Sequence, residues 1–463
     1  MKLGKGHPES KTISPKPLIS FNWLQWLIRG ILVGLVIGPV MFLLVSMIHV
    51  VGEFRKGHPL LLLLIPVGAV TTAWLFQRTG AYLRHGTNLA IEKINERILS
   101  SLRVSNIPFS HQGHAKGVSL TPKVVPLMFV NTAITHLTGA SGGKEGAGVQ
   151  IGTAIASVMD WLEQKLRTLV GRPADKSDRM DITGIWLITG AGAAFGALFN
   201  APMAGTWFGL QFSSPKITRT EAFLPCMAGS FTASIISEAL GNQPIALEGP
   251  MESVAFGLTP LLLVCMSGVI FGLLSLLFCT ITQIFKHLIA KLSRNSMLRA
   301  LYAGLLLLAC TGVLYLATGT FAYNGLSLSL FTAAAQGQTG WIDPLAKLLL
   351  TALTITAGFS GGEIIPLMVI GATAGSVLAP VFGLPVSMMT VFGAVGTLSG
   401  GTKLPLVCFL LSLELFGFEN PTLLFSVCVF GCICSGRTGI YESQSDPLAY
   451  QSKLSVNYSE EDS

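Results

Sequence analysis

Long apolar runs separated by short polar segments are the feature that most constrains how this chain folds. Clear examples are 26–51, 60–76, 258–278, 300–316 and 345–357. Several reach the roughly 20 apolar residues that a helix needs to cross the hydrocarbon core of a bilayer. Only 11% of the 463 residues are charged, against about 25% in a soluble domain. The sequence therefore predicts an all-α polytopic membrane protein.

The positive charges predict the orientation of the chain. Lys and Arg number 30 against 23 Asp and Glu, and four of the lysines fall within residues 1–20. Because Lys and Arg collect on the cytoplasmic side of membrane proteins, this excess indicates cytoplasmic anchoring and not a nucleic-acid surface. We expect residues 1–20 to form a cytoplasmic segment, both termini to be cytoplasmic, and the protein to lie in the plasma or inner membrane.

Two pairs of similar segments predict two membrane halves. Residues 190–202 align without gaps on 393–405, and 142–152 align on 361–371. Short apolar segments bounded by Gly or Pro, at matching positions of two halves, are typical of discontinuous helices in inverted-repeat transporters. Such segments are 146–159, 201–212, 363–378 and 405–416. We predict a first half at 21–240 and a second at 241–440, with tilted and re-entrant helices. Chance similarity among Gly/Ala-rich helices is the alternative.

Gly-rich stretches at 138–146 and 358–363 indicate an anion site, because each precedes an apolar segment that could begin a helix. A helix start presents backbone N–H groups and the positive end of the helix dipole. An ionised Glu145 at such a start would compete with a transported anion, and a protonated one could leave. This predicts either a gate or an anion/proton exchange step. Glu363 is a possible secondary acidic site, since intramembrane carboxylates are usually functional. Both could instead be capping carboxylates near the membrane surface.

Catalytic motifs are not supported by the sequence. The Gly-Gly-Lys at 142–144 suggests a P-loop, but that motif requires Gly at position 138 and Ser or Thr at position 145, where the chain has Thr138 and Glu145. The eight histidines show no metal-ligand spacing. We expect no enzymatic activity, no cofactor and no metal.

The Gly-Lys-Glu-Gly motif at 143–146, with Val-Gln-Ile-Gly at 149–152, resembles the G(K/R)EGP motif of the CLC family of chloride channels and anion/proton antiporters. Residues 199–205 resemble the family's FNAPLAG segment, and 436–441 its G-K-P-L-Y segment. The resemblance covers nearly the whole chain. It implies the CLC fold, a gating and proton-carrying role for Glu145, and a homodimer. Residues 441–463 would form the C-terminal helix and tail, without CBS domains.

The family's anion path is lined by backbone N–H groups, hydroxyls and a central tyrosine. Carried over to this chain, the resemblance implies a path lined by Thr87, Asn88, Gly146, Ala147, Ile364, Ile365 and Tyr441.

Departures from the usual family motifs resemble the fluoride/proton antiporter branch, whose motifs run close to GNNL, GREGT and GGEVTP. Here these segments read Gly-Thr-Asn-Leu at 86–89, Ala147 after the GKEG motif, and Gly-Gly-Glu at 361–363. Ile364 and Ile365 replace the branch's Val-Thr, so one hydroxyl is missing beside the anion. Gln211 stands where many exchangers carry an inner proton-transfer Glu, and an amide cannot titrate.

These observations together predict transmembrane halide transport, as anion/proton antiport with fluoride preferred over chloride. Fluoride is strongly hydrated, so its site needs hydrogen-bond donors, and Thr87, Asn88 and Tyr441 are the candidates. A passive, voltage-gated chloride channel of the CLC type is the alternative. A non-transporting membrane scaffold is a remote one, because it leaves the Gly-rich helix starts without a role.

Overall fold

The computed structural model describes residues 23–101, 120–171, 176–215, 218–243, 252, 254–417 and 420–444. The predicted cytoplasmic segment 1–20 and most of the predicted C-terminal helix and tail lie outside these residues. Sixteen α-helices and no β-strand occur in the described part, which confirms the all-α prediction. The helices are α1 Trp23–Gly57, α2 Ile65–Thr79, α3 Thr87–Ser101, α4 Val124–Thr138, α5 Glu145–Leu169, α6 Lys176–Phe199, α7 Pro202–Gln211, α8 Phe223–Ala239, α9 Leu258–Leu292, α10 Ser296–Thr318, α11 Leu328–Ala335, α12 Ile342–Ala357, α13 Ile364–Phe382, α14 Val386–Thr402, α15 Pro405–Phe416 and α16 Pro421–Cys434.

Five helical segments in the described part are long and apolar enough to cross a membrane: α1, the 59–79 segment that contains α2, α9, α10 and α13. The first four keep many large apolar side chains exposed. In water such a surface would be unstable, whereas lipid tails cover it at no cost. α13 is different, since most of it is buried inside the protein. The exposed apolar surface therefore supports the prediction of a polytopic membrane protein.

The aligned segments 190–202 and 393–405 share one local structure. α6 and α14 are each followed directly by a residue with left-handed backbone, Asn200 (φ 52°) and Lys403 (φ 63°). Two residues later, α7 and α15 each begin at a proline, Pro202 and Pro405. Proline suits the first position of a helix because its missing N–H would have no partner there.

The second aligned pair matches as closely. α4 and α12 are both capped by a glycine in the left-handed region, Gly139 (φ 79°) and Gly358 (φ 82°). The next helix of each half begins six residues later, α5 at Glu145 and α13 at Ile364. The two halves thus repeat helix, Gly-rich turn and discontinuous helix. The boundary between residues 240 and 241 stays a prediction.

Small residues allow the helices next to these turns to pack closely. A Cβ added at Gly371 on α13 would collide with the carbonyl oxygen of Gly393 on α14, and the reverse also holds. Close backbone approach through small residues is the usual way in which helices associate in membranes. α13 and α14 therefore form a compact pair that fixes the start of α13.

One predicted element differs in length. The segment 146–159 was expected to be a short helix, but α5 continues to Leu169 and has 25 residues. The added part, from Asp160 to Leu169, contains good helix formers such as Leu, Glu, Gln, Lys and Arg. Its polar side chains also pair, because Glu163 binds Arg29 of α1 and Arg167 of its own helix. α5 thus extends beyond the apolar region as a polar helix.

Candidate functional site

The two Gly-rich turns meet, backbone against backbone. Gly143 N donates a hydrogen bond to Gly362 O over 2.7 Å, and Thr135 Oγ1 of α4 donates to Ser360 O over 2.7 Å. A Cβ added at Gly146 would lie 2.7 Å from Gly361 O. The first turns of α5 and α13 therefore begin from one shared junction inside the protein.

Glu145, the first residue of α5, lies at this junction. The residue is only 1% exposed, and a Cβ added at Gly143 or Gly362 would fall on its Oε2 atom. Neither carboxylate oxygen has a hydrogen-bond partner of good geometry in the described part of the chain. A buried carboxylate without partners is costly, and here the backbone N–H groups of a helix start are what compensates it.

Lys144 directs its charge away from the junction. Its Nζ donates to Leu198 O of α6 over 2.8 Å and lies 5.7 Å from the centre of the Phe199 ring. The side chain therefore ties the turn to the end of α6, and no ion pair with Glu145 occurs among the described residues. The Glu145 carboxylate is therefore not held by a salt bridge to its neighbour in the chain.

Thr87, Asn88 and Tyr441 form a second group. α3 begins at Thr87, which is buried, directly after Gly86 with its left-handed backbone (φ 55°). Asn88 Oδ1 accepts from Ser443 N over 3.1 Å. This bond holds the segment after Tyr441 against the start of α3.

Tyr441 connects this group to the acidic residues. Its side chain is buried and lies within electrostatic range of both Glu145 and Glu363. Gln444 Nε2 donates to Phe212 O and Thr402 O, which fixes the 441–444 segment between the two halves. The tyrosine thus lies between the start of α3 and the Gly-rich junction.

Glu363 occupies a different position from Glu145. It precedes the first residue of α13 and is half-buried. It lines a cleft together with Thr282 and Gln283 of α9. Lys286 and Glu442 also line the cleft and form an ion pair of 2.9 Å. The second acidic residue is therefore reached from the surface, whereas Glu145 is enclosed.

Of the remaining predicted residues, Ala147, Ile364 and Ile365 are buried in the first turns of α5 and α13. Lys347 of α12 was missed by the sequence reasoning, although it is fully buried and donates to Ser141 of the first Gly-rich turn. A lone lysine inside the apolar run 345–357 was the signal that could have revealed it.

Comparison with known proteins identifies the family. The model of the family described as voltage gated chloride channel matches residues 105–436. The chain is 30% identical over 428 residues to a chloride/fluoride channel protein of Pseudomonas syringae pv. tomato, covering 91% of this chain and 86% of that protein. It is also similar to the crystal structure of a CLC-type fluoride/proton antiporter, with a TM-score of 0.79, 28% identity, and coverage of 92% of this chain and 99% of that one.

A more distant relative is the H(+)/Cl(-) exchange transporter ClcA of Vibrio cholerae. The two chains are 24% identical over 304 residues, and the alignment spans 62% of the exchanger's length and 63% of this chain. The family model alone covers well over half of the sequence. The chain therefore belongs to the voltage gated chloride channel (CLC) family.

Proposed function

We propose that the protein carries a small halide across the membrane in exchange for protons, and that it prefers fluoride to chloride. The observation that carries this proposal is the position of Glu145. Its buried carboxylate has no hydrogen-bond partner of good geometry among the described residues, and it lies where two Gly-rich helix starts meet. Amide dipoles that stabilise this carboxylate would stabilise a halide at the same place.

The carboxylate and the anion compete for one site. While Glu145 is ionised and in place, it excludes a halide from the junction. When it takes up a proton, its attraction to the N–H groups falls and the side chain moves out, so that a halide can enter. Occupation by the halide is thereby linked to binding of a proton, which is the requirement for exchange. The backbone around Gly146, Ala147, Ile364 and Ile365 holds the anion in this scheme.

Fluoride preference rests on the donors around Tyr441. Asn88 Oδ1 accepts from Ser443 N, so we assign the Asn88 Nδ2 group, together with the Thr87 and Tyr441 hydroxyls, as the donors to the anion. A small, strongly hydrated anion needs several such donors to replace its water. The descriptions of two similar proteins, a chloride/fluoride channel protein and a fluoride/proton antiporter, also support fluoride as the transported ion.

Protons need a route that does not use position 211. Gln211 cannot titrate, and its Nε2 donates to Thr218 Oγ1 over 3.0 Å. Glu363 is the available ionisable group, because it lines a cleft open to the surface and lies in electrostatic range of Glu145. We assign to Glu363 the transfer of protons between this cleft and Glu145.

The test is ion flux in proteoliposomes that carry an inward proton gradient, followed with fluoride, chloride and pH electrodes. Exchange predicts fluoride movement against its own gradient with matching proton flux. Strictly downhill movement would instead establish the passive channel, and no flux would establish the scaffold. Glu145→Gln should abolish proton movement. Glu163→Gln, on the same helix but paired with Arg29, is the matched control and should stay coupled.

We also propose that the N-terminus is cytoplasmic. Arg78, Lys291 and Arg294 lie near the end of α2 and the turn between α9 and α10, and Gln77 Nε2 donates to Ser296 Oγ there. α1 and the 59–79 segment are consecutive candidate spans, and consecutive spans cross a membrane in opposite directions. We therefore place the start of α1 at this same basic end, which is the cytoplasmic one by the positive-inside rule. We further propose that the protein lies in the plasma membrane, that its C-terminus is cytoplasmic and that it forms a homodimer. Labelling of single cysteines in intact cells, and the mass of the purified protein in detergent, test these assignments.

A further inference from the structure

Lys347 on α12 is a fully buried lysine that has only neutral partners. Its Nζ donates to Ser141 Oγ and Ser327 Oγ, each at 2.8 Å, and to the carbonyl oxygens of Gly325 at 2.9 Å and Tyr323 at 3.2 Å. No carboxylate pairs with it in the described part of the chain. Its Nζ is therefore held by hydrogen bonds to neutral groups, without a counter-ion among the described residues.

The nearest acidic residue along α12 is engaged elsewhere. Asp343 Oδ1 accepts from the Tyr323 hydroxyl over 2.6 Å, and Oδ2 accepts from Gly340 N over 2.7 Å. Both oxygens of this carboxylate are thus occupied one turn away from Lys347. Asp343 therefore forms no ion pair with Lys347.

A second buried cation lies close to the same turns. Arg55, at the end of α1, is 8% exposed, and its Nε is buried without a hydrogen-bond partner among the described residues. A Cβ added at Gly139 would lie 3.3 Å from Nη1, and one added at Gly325 would lie 3.2 Å from Nη2. Asn324 Nδ2 joins the two turns by donating to Gly139 O over 2.8 Å. Arg55 and Lys347 therefore both lie beside residues 139–141, which lead directly to Glu145.

Buried charges without counter-ions are costly, and hydrophobic replacements of similar size are often tolerated or stabilising. A clamp between two turns needs hydrogen bonds but no positive charge. An anion near the turn would, however, gain from both charges, because protein of low effective dielectric transmits their field over several ångströms.

We propose that Lys347 holds its proton while an anion is bound, and that Lys347 and Arg55, as positioning residues, set the anion affinity of the site by giving the 139–143 turn a positive potential. This inference rests on the proposed function, because it assumes that the junction beside Glu145 binds a halide. A unit charge about 10 Å away at an effective dielectric near 20 corresponds to roughly a tenfold change in affinity.

The experiment measures binding and transport separately. Sodium fluoride and sodium chloride are titrated calorimetrically into the purified protein in detergent, and the half-saturating fluoride concentration is measured in proteoliposomes. Lys347→Met should raise both the dissociation constant and the half-saturating concentration about tenfold, with little change in maximal rate. Lys347→Arg should restore them. Lys56→Met, an exposed neighbour of Arg55 that pairs with Glu53, is the control and should leave both unchanged.

A purely structural clamp would give another result. Thermal stability would then fall in Lys347→Met while the dissociation constant of the folded protein stayed at its wild-type value, and the inference would be refuted. If Lys347→Met does not fold, Arg55→Met replaces it, with the same expected weakening and the same refuting result. Calorimetric binding does not require exchange. If the wild-type protein shows no uphill transport, the proposed function is refuted. The comparison of dissociation constants would still test the role of Lys347.

Discussion

Gly362 is the residue at which a single methyl group should separate anion transport from proton transport. A Cβ at this position would fall on Glu145 Oε2 and lie 2.8 Å from the backbone nitrogens of both Glu145 and Gly146. Ordinary van der Waals contact begins near 3.4 Å, so in Gly362→Ala the two turns must separate by about 0.6 Å, the difference between these distances, and the carboxylate must leave. Overpacking of this kind costs about 1–3 kcal/mol. At 1.4 kcal/mol per factor of ten, the occupancy of the Glu145 position should fall about 5- to 150-fold.

Simultaneous recording of fluoride and proton flux in proteoliposomes measures this effect. Gly362→Ala should conduct the anion with fewer protons per halide, because the competing carboxylate no longer closes the site. Gly142→Ala is the matched control in the partner turn, since its Cβ would have no neighbour closer than 3.4 Å, and it should stay coupled. Wild-type proton coupling in a folded Gly362→Ala protein would contradict the assignment of Glu145 to this junction.

Two further predictions concern stability and are checked by thermal unfolding of the detergent-solubilised protein. Gly393→Ala should lower the free energy of unfolding by about 1–3 kcal/mol, because its methyl group would collide with Gly371 O. Gly312→Ala, whose methyl group would have no atom within 4 Å, is the control and should be neutral or slightly stabilising. Equal unfolding temperatures of the two variants would argue against close α13–α14 packing. Glu414→Gln should lower the free energy of unfolding by about 1–3 kcal/mol, because the two carboxylate oxygens of Glu414 accept from Met203 N and Ala204 N at the start of α7, at 2.7 and 2.8 Å. An unchanged unfolding temperature would show that this cap contributes nothing to stability.

Local signals in the sequence predicted much of this fold. Pro202 and Pro405 mark helix starts because proline suits the first helical position, and both helices begin there. The Gly-rich turns were recognisable because glycine accepts left-handed backbone, as Gly139 and Gly358 show. The start of α5 at Glu145 follows from the same pattern. Each of these signals is contained within a few residues.

Contacts between distant segments could not be predicted in this way. Lys347 lies 206 positions from Ser141, and no local sequence pattern in either segment indicates that the two residues are in contact. The hydrogen bonds that place Tyr441 beside α3 run through Ser443 and Asn88, which are 355 positions apart. The family resemblance implies an anion-binding role for Tyr441 but not the bonds that position it. Tertiary packing alone determines these pairs.

The two halves share a backbone pattern but not a charge pattern, and in the proposed function this difference sets the number of gating carboxylates. Lys144 precedes α5 and Glu363 precedes α13 at equivalent positions, whereas Glu145 and Ile364 are the equivalent first helical residues. Both helix starts can therefore contribute N–H groups to one anion, while only the first half places a carboxylate among them. A second carboxylate at position 364 would repel the first at close range and hold one of them protonated. With Ile364 there, the proposed function has a single carboxylate that competes with the halide, and it leaves Glu363 at the cleft to exchange protons with that carboxylate.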